Sequence, residues 1–238
     1  MSANAIILTN GQTGSSVLAG LLTRCGYWAG AATVRKSDYD TFQNTELVRL
    51  NRVLLDGLGI AAAPRHDPDL PRLVCDLAER IDLAPFHAFL ADCDRHRPWV
   101  WKDPWLWATF RFWCRLLDGR EFRAVHMTRE PLQAWISANL HRQFQSYGFL
   151  KVYSAGVNAT VPDEIRLQQQ RYFSLSFEDL ILRPSGAISQ LNDFLRSRIR
   201  IGELKALYDG PLYQMPRGGL DLVGAILIYL RHRGHRLG

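Results

Sequence analysis

The chain opens with a continuous apolar run, Ala5-Ile6-Ile7-Leu8-Thr9, that is too short for a helix and is cut off by Asn10-Gly11. Such a run predicts a strand buried on both faces of a parallel sheet. Val17, Leu18, Leu21 and Leu22 then recur at helical spacing, and Cys25-Gly26 closes that helix. A second helix is expected over 45–58, where Leu47, Leu50, Val53, Leu54 and Leu58 make a stripe, and a third from about 67 to 83. Residues 99–101, 122–127 and 172–176 read as three further strands. Each is followed by helical periodicity or by a helix start such as Glu130-Pro131. Residues 144–162 show no clear period and are expected to form a loop or lid. The alternation predicts an α/β fold, a three-layer parallel sheet flanked by helices, with ligands at the carboxyl ends of the strands.

Composition narrows the picture. A chain of 238 residues, 47% hydrophobic and 22% charged, suits one domain spanning 1–238. Its net charge of +6 suits an anionic ligand. No zinc-finger spacing, aromatic ribonucleoprotein motif or lysine run points to nucleic acid. Cys25, Cys75, Cys93 and Cys114 are scattered and form no CxxC pair, so reduced thiols are expected. The first apolar run is too short for a signal peptide and 220–230 too short to span a bilayer, which predicts a cytoplasmic protein. The C-terminal stretch 220–238 reads as an amphipathic helix followed by a basic tail in which His232 and His235 lie among arginines.

Two segments carry chemistry. Gly11-Gln12-Thr13-Gly14-Ser15-Ser16 joins the first strand to its helix, combining glycines that admit a close ligand with free N–H groups and a dipole that favour an anion. The plain reading is a strand-to-helix turn with a hydroxyl cap. It is not the GxxxxGK[ST] loop of nucleotide triphosphatases, having no lysine. Arg129, at the end of the third strand, and Ser137, eight residues later, are placed to grip one phosphate, although each also has an ordinary helix-end role.

Taken in order, these segments resemble the sulfotransferase family. The GQTGSS turn resembles its 5′-phosphosulfate loop, and the Arg129–Ser137 spacing its 3′-phosphate segment. Asp38 to Leu55, the Trp-Val-Trp-Lys-Asp-Pro run ending at Pro104, and Phe177-Glu178-Asp179-Leu180 with Pro184 resemble other family motifs. The resemblance covers residues 5 to 197. It implies a P-loop-like fold and metal-free transfer of a sulfuryl group from 3′-phosphoadenosine 5′-phosphosulfate (PAPS) to a hydroxyl or amine of a carbohydrate, lipid or other small acceptor. It also implies roles. Gly11, Gln12, Thr13, Gly14, Ser15, Ser16, Arg129, Ser137, Phe177 and Arg217 would bind the nucleotide. Lys102 would stabilise the leaving phosphate oxygen, and Asp103, or one of Asp38, Asp40 and Glu46 on the acceptor side, would serve as base. The chain departs from the family at Gln12, where a basic residue is usual, at Gln43, where many bacterial relatives have Glu, and at Pro104, where one branch has His. Two alternatives fit the same residues: a small-molecule kinase of P-loop-like architecture, and a protein that binds PAPS or adenosine 3′,5′-bisphosphate with impaired turnover. Among Trp99, Trp101, Trp105, Trp107 and Trp113, some could stack on an acceptor, though core packing accounts for most.

Overall fold

The computed structural model describes residues 2–36, 39–60, 66–141, 143, 145–208 and 218–232. The four apolar runs form one parallel sheet: β1 (Asn4–Leu8), β4 (Val100–Lys102), β5 (Phe122–Thr128) and β6 (Tyr172–Ser176), in the order β4-β1-β5-β6. All five residues of β1 are buried because alternate side chains enter two different cores. Ile6 and Leu8 join Trp101, Phe110 and Trp113 on one face; Ala5 and Ile7 join Val17, Val125 and Leu191 on the other. Helices α2 (Thr45–Gly57), α3 (Leu70–Asp76), α4 (Ala84–Arg95), α5 (Leu106–Leu116) and α7 (Tyr147–Leu167) supply the first core. Helices α1 (Ser15–Arg24), α8 (Phe177–Leu182), α9 (Pro184–Leu195) and α10 (Ile201–Tyr208) supply the second. Helix α6 (Pro131–Leu140) packs with α11 (Gly219–His232) in a smaller apolar cluster.

Two expectations change, and one element had no counterpart among them. The segment 144–162 is no loop: α7 is a 21-residue helix capped by Ser146, whose Oγ accepts from the Phe149 amide at 3.1 Å. Leu150, Tyr153, Val157, Val161 and Ile165 form its buried stripe, but Gly148, Gly156 and the internal Pro162 conceal that period in the sequence. Gly156 has a packing role, since a Cβ there would lie 2.5 Å from the His66 ring. The helix expected over 67–83 ends at Asp76, passes through a 3-10 turn at Leu77–Glu79, and is followed by a separate α4. The region before α2 is an antiparallel hairpin of β2 (Thr33–Arg35) and β3 (Asp40–Asn44). It seats Phe42 on the bare face of Gly20, where a Cβ would come within 2.6 Å of the ring.

The strand order creates the site. The chain leaves β1 toward β4 and leaves β5 toward β6, so a crevice opens where the carboxyl ends of β1 and β5 diverge. Beside it, a buried network locks the end of β4 to α2 and α5. Asn51 Nδ2 donates to Asp103 Oδ2 at 2.8 Å, while Asn51 Oδ1 accepts from Trp113 Nε1 at 2.8 Å and Thr109 Oγ1 at 2.9 Å. Asn51→Ala strips these buried groups of their partner and is expected to cost about 2–4 kcal/mol in urea-induced unfolding; a loss under about 1 kcal/mol would show that the network is not structural.

Candidate functional site

Three strand ends meet at one cavity of about 300 Å³. After β1, the backbone turns through left-handed conformations at Gly11 (φ 82), Gln12 (φ 58) and Gly14 (φ 74) before α1 begins. Gly14 cannot be larger, because a Cβ there would lie 2.3 Å from the Phe177 ring. Asn44, Glu130, Ser146 and Ser176 cap α2, α6, α7 and α8 with side chains, whereas α1, like α3, α4, α5 and α9, has no side-chain cap. Its first-turn amides thus face the cavity with the positive end of the helix dipole.

After β4, Lys102 is carried into the wall and only 4% of it is exposed. Its Nζ donates to Ser16 Oγ at 3.1 Å and reaches the Thr41 carbonyl oxygen at 3.5 Å. Burial pushes the ammonium down to about 7, with only partial relief from the charge of Asp103. After β5, the guanidinium of Arg129 lies 4.6 Å from the centre of the Phe177 ring and donates to the Gln12 carbonyl oxygen at 3.3 Å. Ser137 lines the same cavity from α6.

Gly11, Gln12, Gly14, Ser15, Ser16, Lys102, Arg129, Ser137 and Phe177 therefore share one wall system. Thr13 does not contribute its side chain: it is buried and its hydroxyl bonds that of Thr9. Arg217 and Asp38 lie outside the described residues. None of the expected carboxylates among the described residues, Asp40, Glu46 and Asp103, lines the cavity; Asp40 accepts from Thr33 Oγ1 at 2.6 Å and the Phe42 amide at 2.7 Å. Glu46 is held below its ordinary range by Arg49, which grips it through two bonds of 2.9 and 2.6 Å on the far side of α2's first turn. Asp103 turns into the Asn51 network and accepts from the Trp105 amide at 2.9 Å; burial pushes its carboxyl up. Lys102 and Asp103 thus have different partners, and no ion pair joins them among the described residues.

The cavity also holds residues the sequence did not single out. Lys36 and Tyr39 arrive on the β2–β3 turn, and His141 and Gln143 follow α6. His141 Nδ1 lies 2.8 Å from the Ser137 carbonyl oxygen, an acceptor only, so Nδ1 carries the proton and Nε2 the lone pair. No periodicity or spacing flags these four. Gln12 Nε2 donates to Gln143 Oε1 across the cavity's edge.

No protein-family model matches the chain, and no curated protein sequence matches it significantly. Its fold does match solved structures. The sulfotransferase domain of the Synechococcus PCC 7002 olefin synthase aligns over 96% of this chain and 94% of its own, with a TM-score of 0.52 and 17% identity. The sulfotransferase domain of the curacin biosynthetic pathway aligns over 93% and 82%, with a TM-score of 0.50 and 17% identity. The chain has the fold of a sulfotransferase domain. Within that sulfotransferase fold, the cavity sits at the strand-end crevice. Among the described residues no helix is long and apolar enough to cross a membrane.

Lys102 sets a pH signature. Below about pH 7 folded and unfolded chains both carry its proton, and the native state bears the full cost of a buried cation. Between about 7 and 10.5 the native state sheds that proton while the unfolded chain keeps it, so this contribution to stability rises with pH. Lys102→Met should therefore raise stability at pH 6 by roughly 1–3 kcal/mol, with the gain shrinking by pH 9.5. Urea titrations at the two pH values check this; an unchanged or widening gap contradicts it.

Proposed function

We propose that the chain is a PAPS-dependent sulfotransferase acting on a hydroxyl of a small acceptor. The observation that supports this most is the charge of the cavity: Lys36, Lys102 and Arg129 line it together with the uncapped start of α1, and no carboxylate does among the described residues. Such a surface favours a ligand with several negative charges, one near the α1 amides and Lys102, another near Arg129 and Ser137. A magnesium–ATP kinase would want a carboxylate in that lining and a lysine in the turn. The missing charge at Gln12 leaves the phosphosulfate to backbone N–H groups, the serine hydroxyls and Lys102.

In the transfer, the acceptor oxygen attacks sulfur in line, and the bond from sulfur to the phosphate oxygen breaks with its electron pair passing to that oxygen. Lys102, charged once the anion is bound, stabilises the developing charge. The acceptor proton goes to Nε2 of His141. Of the side chains lining the cavity, this imidazole combines a basic lone pair with a fixed tautomer. Asp103 and Glu46, two of the carboxylates first considered as bases, have no path to that oxygen without leaving their present partners.

Two outcomes test the reading. In calorimetry, Arg129→Ala should weaken binding of adenosine 3′,5′-bisphosphate about 30- to 100-fold, the value of one charge-assisted phosphate contact; absence of binding by the unmodified chain, or equal binding by the variant, would count against it. In a labelled-sulfate assay over phenols, glycans and long-chain alcohols, His141→Asn should lower kcat roughly 10²- to 10⁴-fold with little change in KM. A variant that turns over normally would remove His141 from the reaction.

A further inference from the structure

A second cavity, of about 230 Å³, lies on the other side of the glycine turn and shares Gly11, Gln12, Pro104 and Gln143 with the first. Beyond that shared wall its surface is built by Trp105, Phe149, Leu150 and Tyr153, mostly from α7. Phe149 and Tyr153 stack with their rings 5° from parallel and 6.1 Å apart. Trp105 is the member of the tryptophan group that faces this space; Trp99, Trp101, Trp107 and Trp113 are fully buried in the core. No charged side chain lines the second cavity among the described residues.

We infer that this cavity is the acceptor site, and that it takes an uncharged hydroxyl compound with a flat apolar body, of the phenol or naphthol type. The inference rests on the sulfotransferase reading for what happens to the hydroxyl, and on the cavity alone for what binds. An ion entering it would lose its hydration with nothing to offset the loss. A flat ring gains contact with three aromatic side chains at little cost in conformational freedom. The volume is below that of a typical drug-sized site, which limits the body to one or two rings. Of its polar side chains, the amides of Gln12 and Gln143 belong to the wall shared with the donor cavity. There Gln12 Nε2 donates to Gln143 Oε1, and on this inference breaking that bond frees two amides to hold the hydroxyl where it meets the sulfur. On this account Gln12 has a partition role that a lysine or arginine would fill poorly, because it would bring charge to the edge of a neutral pocket.

The test uses the full chain and a matched pair of probes at pH 7.5: 2-naphthol, and 6-hydroxy-2-naphthoate, which adds one carboxylate to the same rings. Each is titrated by fluorescence with and without saturating adenosine 3′,5′-bisphosphate. The expected result is 2-naphthol binding under both conditions, at least tenfold tighter than the naphthoate. Phe149→Ala, at a partly exposed position outside the first cavity, should weaken 2-naphthol binding about five- to tenfold while leaving bisphosphate binding unchanged. Gln145→Lys, which puts a cation on the second cavity's wall, should shift the preference toward the naphthoate. Equal affinity for the two probes, displacement of 2-naphthol by the bisphosphate, or no effect of either variant would overturn the inference. Failure of the bisphosphate to bind would instead strike the sulfotransferase reading, since the probe titration without nucleotide still reports on the cavity.

Discussion

The arrangement of the site depends on one buried lysine. Lys102 has its amino group out of water, held by the Ser16 hydroxyl and the Thr41 carbonyl oxygen, at a cost the fold meets elsewhere. Those two partners belong to α1 and to the hairpin that Phe42 clamps onto Gly20, so a single side chain joins β4, the glycine turn and β3. Such a group is a poor stabiliser. Under the proposed function, a bound anion restores the charge that burial removed. The uncapped first turn of α1 and the Arg129 guanidinium complete the same demand from two other strand ends.

The two neighbouring cavities differ in the way a two-substrate reaction requires. One is cationic and built from strand ends; the other is neutral and built from a helix with a tryptophan at its edge. The glutamine pair belongs to both, and under the proposed function the reacting atoms meet at that partition. Positioning at that partition, with electrostatic stabilisation by preorganised groups, is what a group transfer of this type asks of a protein.

The sequence disclosed what short-range chemistry controls. Four strands were legible because continuous apolar runs bounded by turn residues have few other uses, and Gly11, Gly14, Lys102 and Arg129 could be placed at strand ends for the same reason. It did not disclose α7, whose buried stripe is interrupted by Gly148, Gly156 and Pro162. Nor did it disclose the β2–β3 hairpin, whose strands are too short and mixed to show a period and which forms against α1. Those two elements bring Lys36 and Tyr39 to the first cavity and Phe149 and Tyr153 to the second, so much of the lining of both was hidden, whereas Trp105, next to Pro104, was in view. Asp103 and Glu46 show the complementary failure: the residue types suited a base, but Asn51 and Arg49 turn both carboxylates away. Direction is set by partners that lie far off in sequence for Asp103 and three residues on for Glu46.

On the proposed function, Lys102 loses its charge to burial in the free chain and recovers it beside a bound anion. Calorimetric titration of adenosine 3′,5′-bisphosphate at pH 8, in two buffers of different ionisation enthalpy, counts the protons taken up on binding. With Lys102 near 7 in the free chain, uptake of about 0.9 proton is expected as the bound anion restores its charge, with most of that uptake lost in Lys102→Met. Binding without proton uptake, or uptake that persists in the variant, would contradict it.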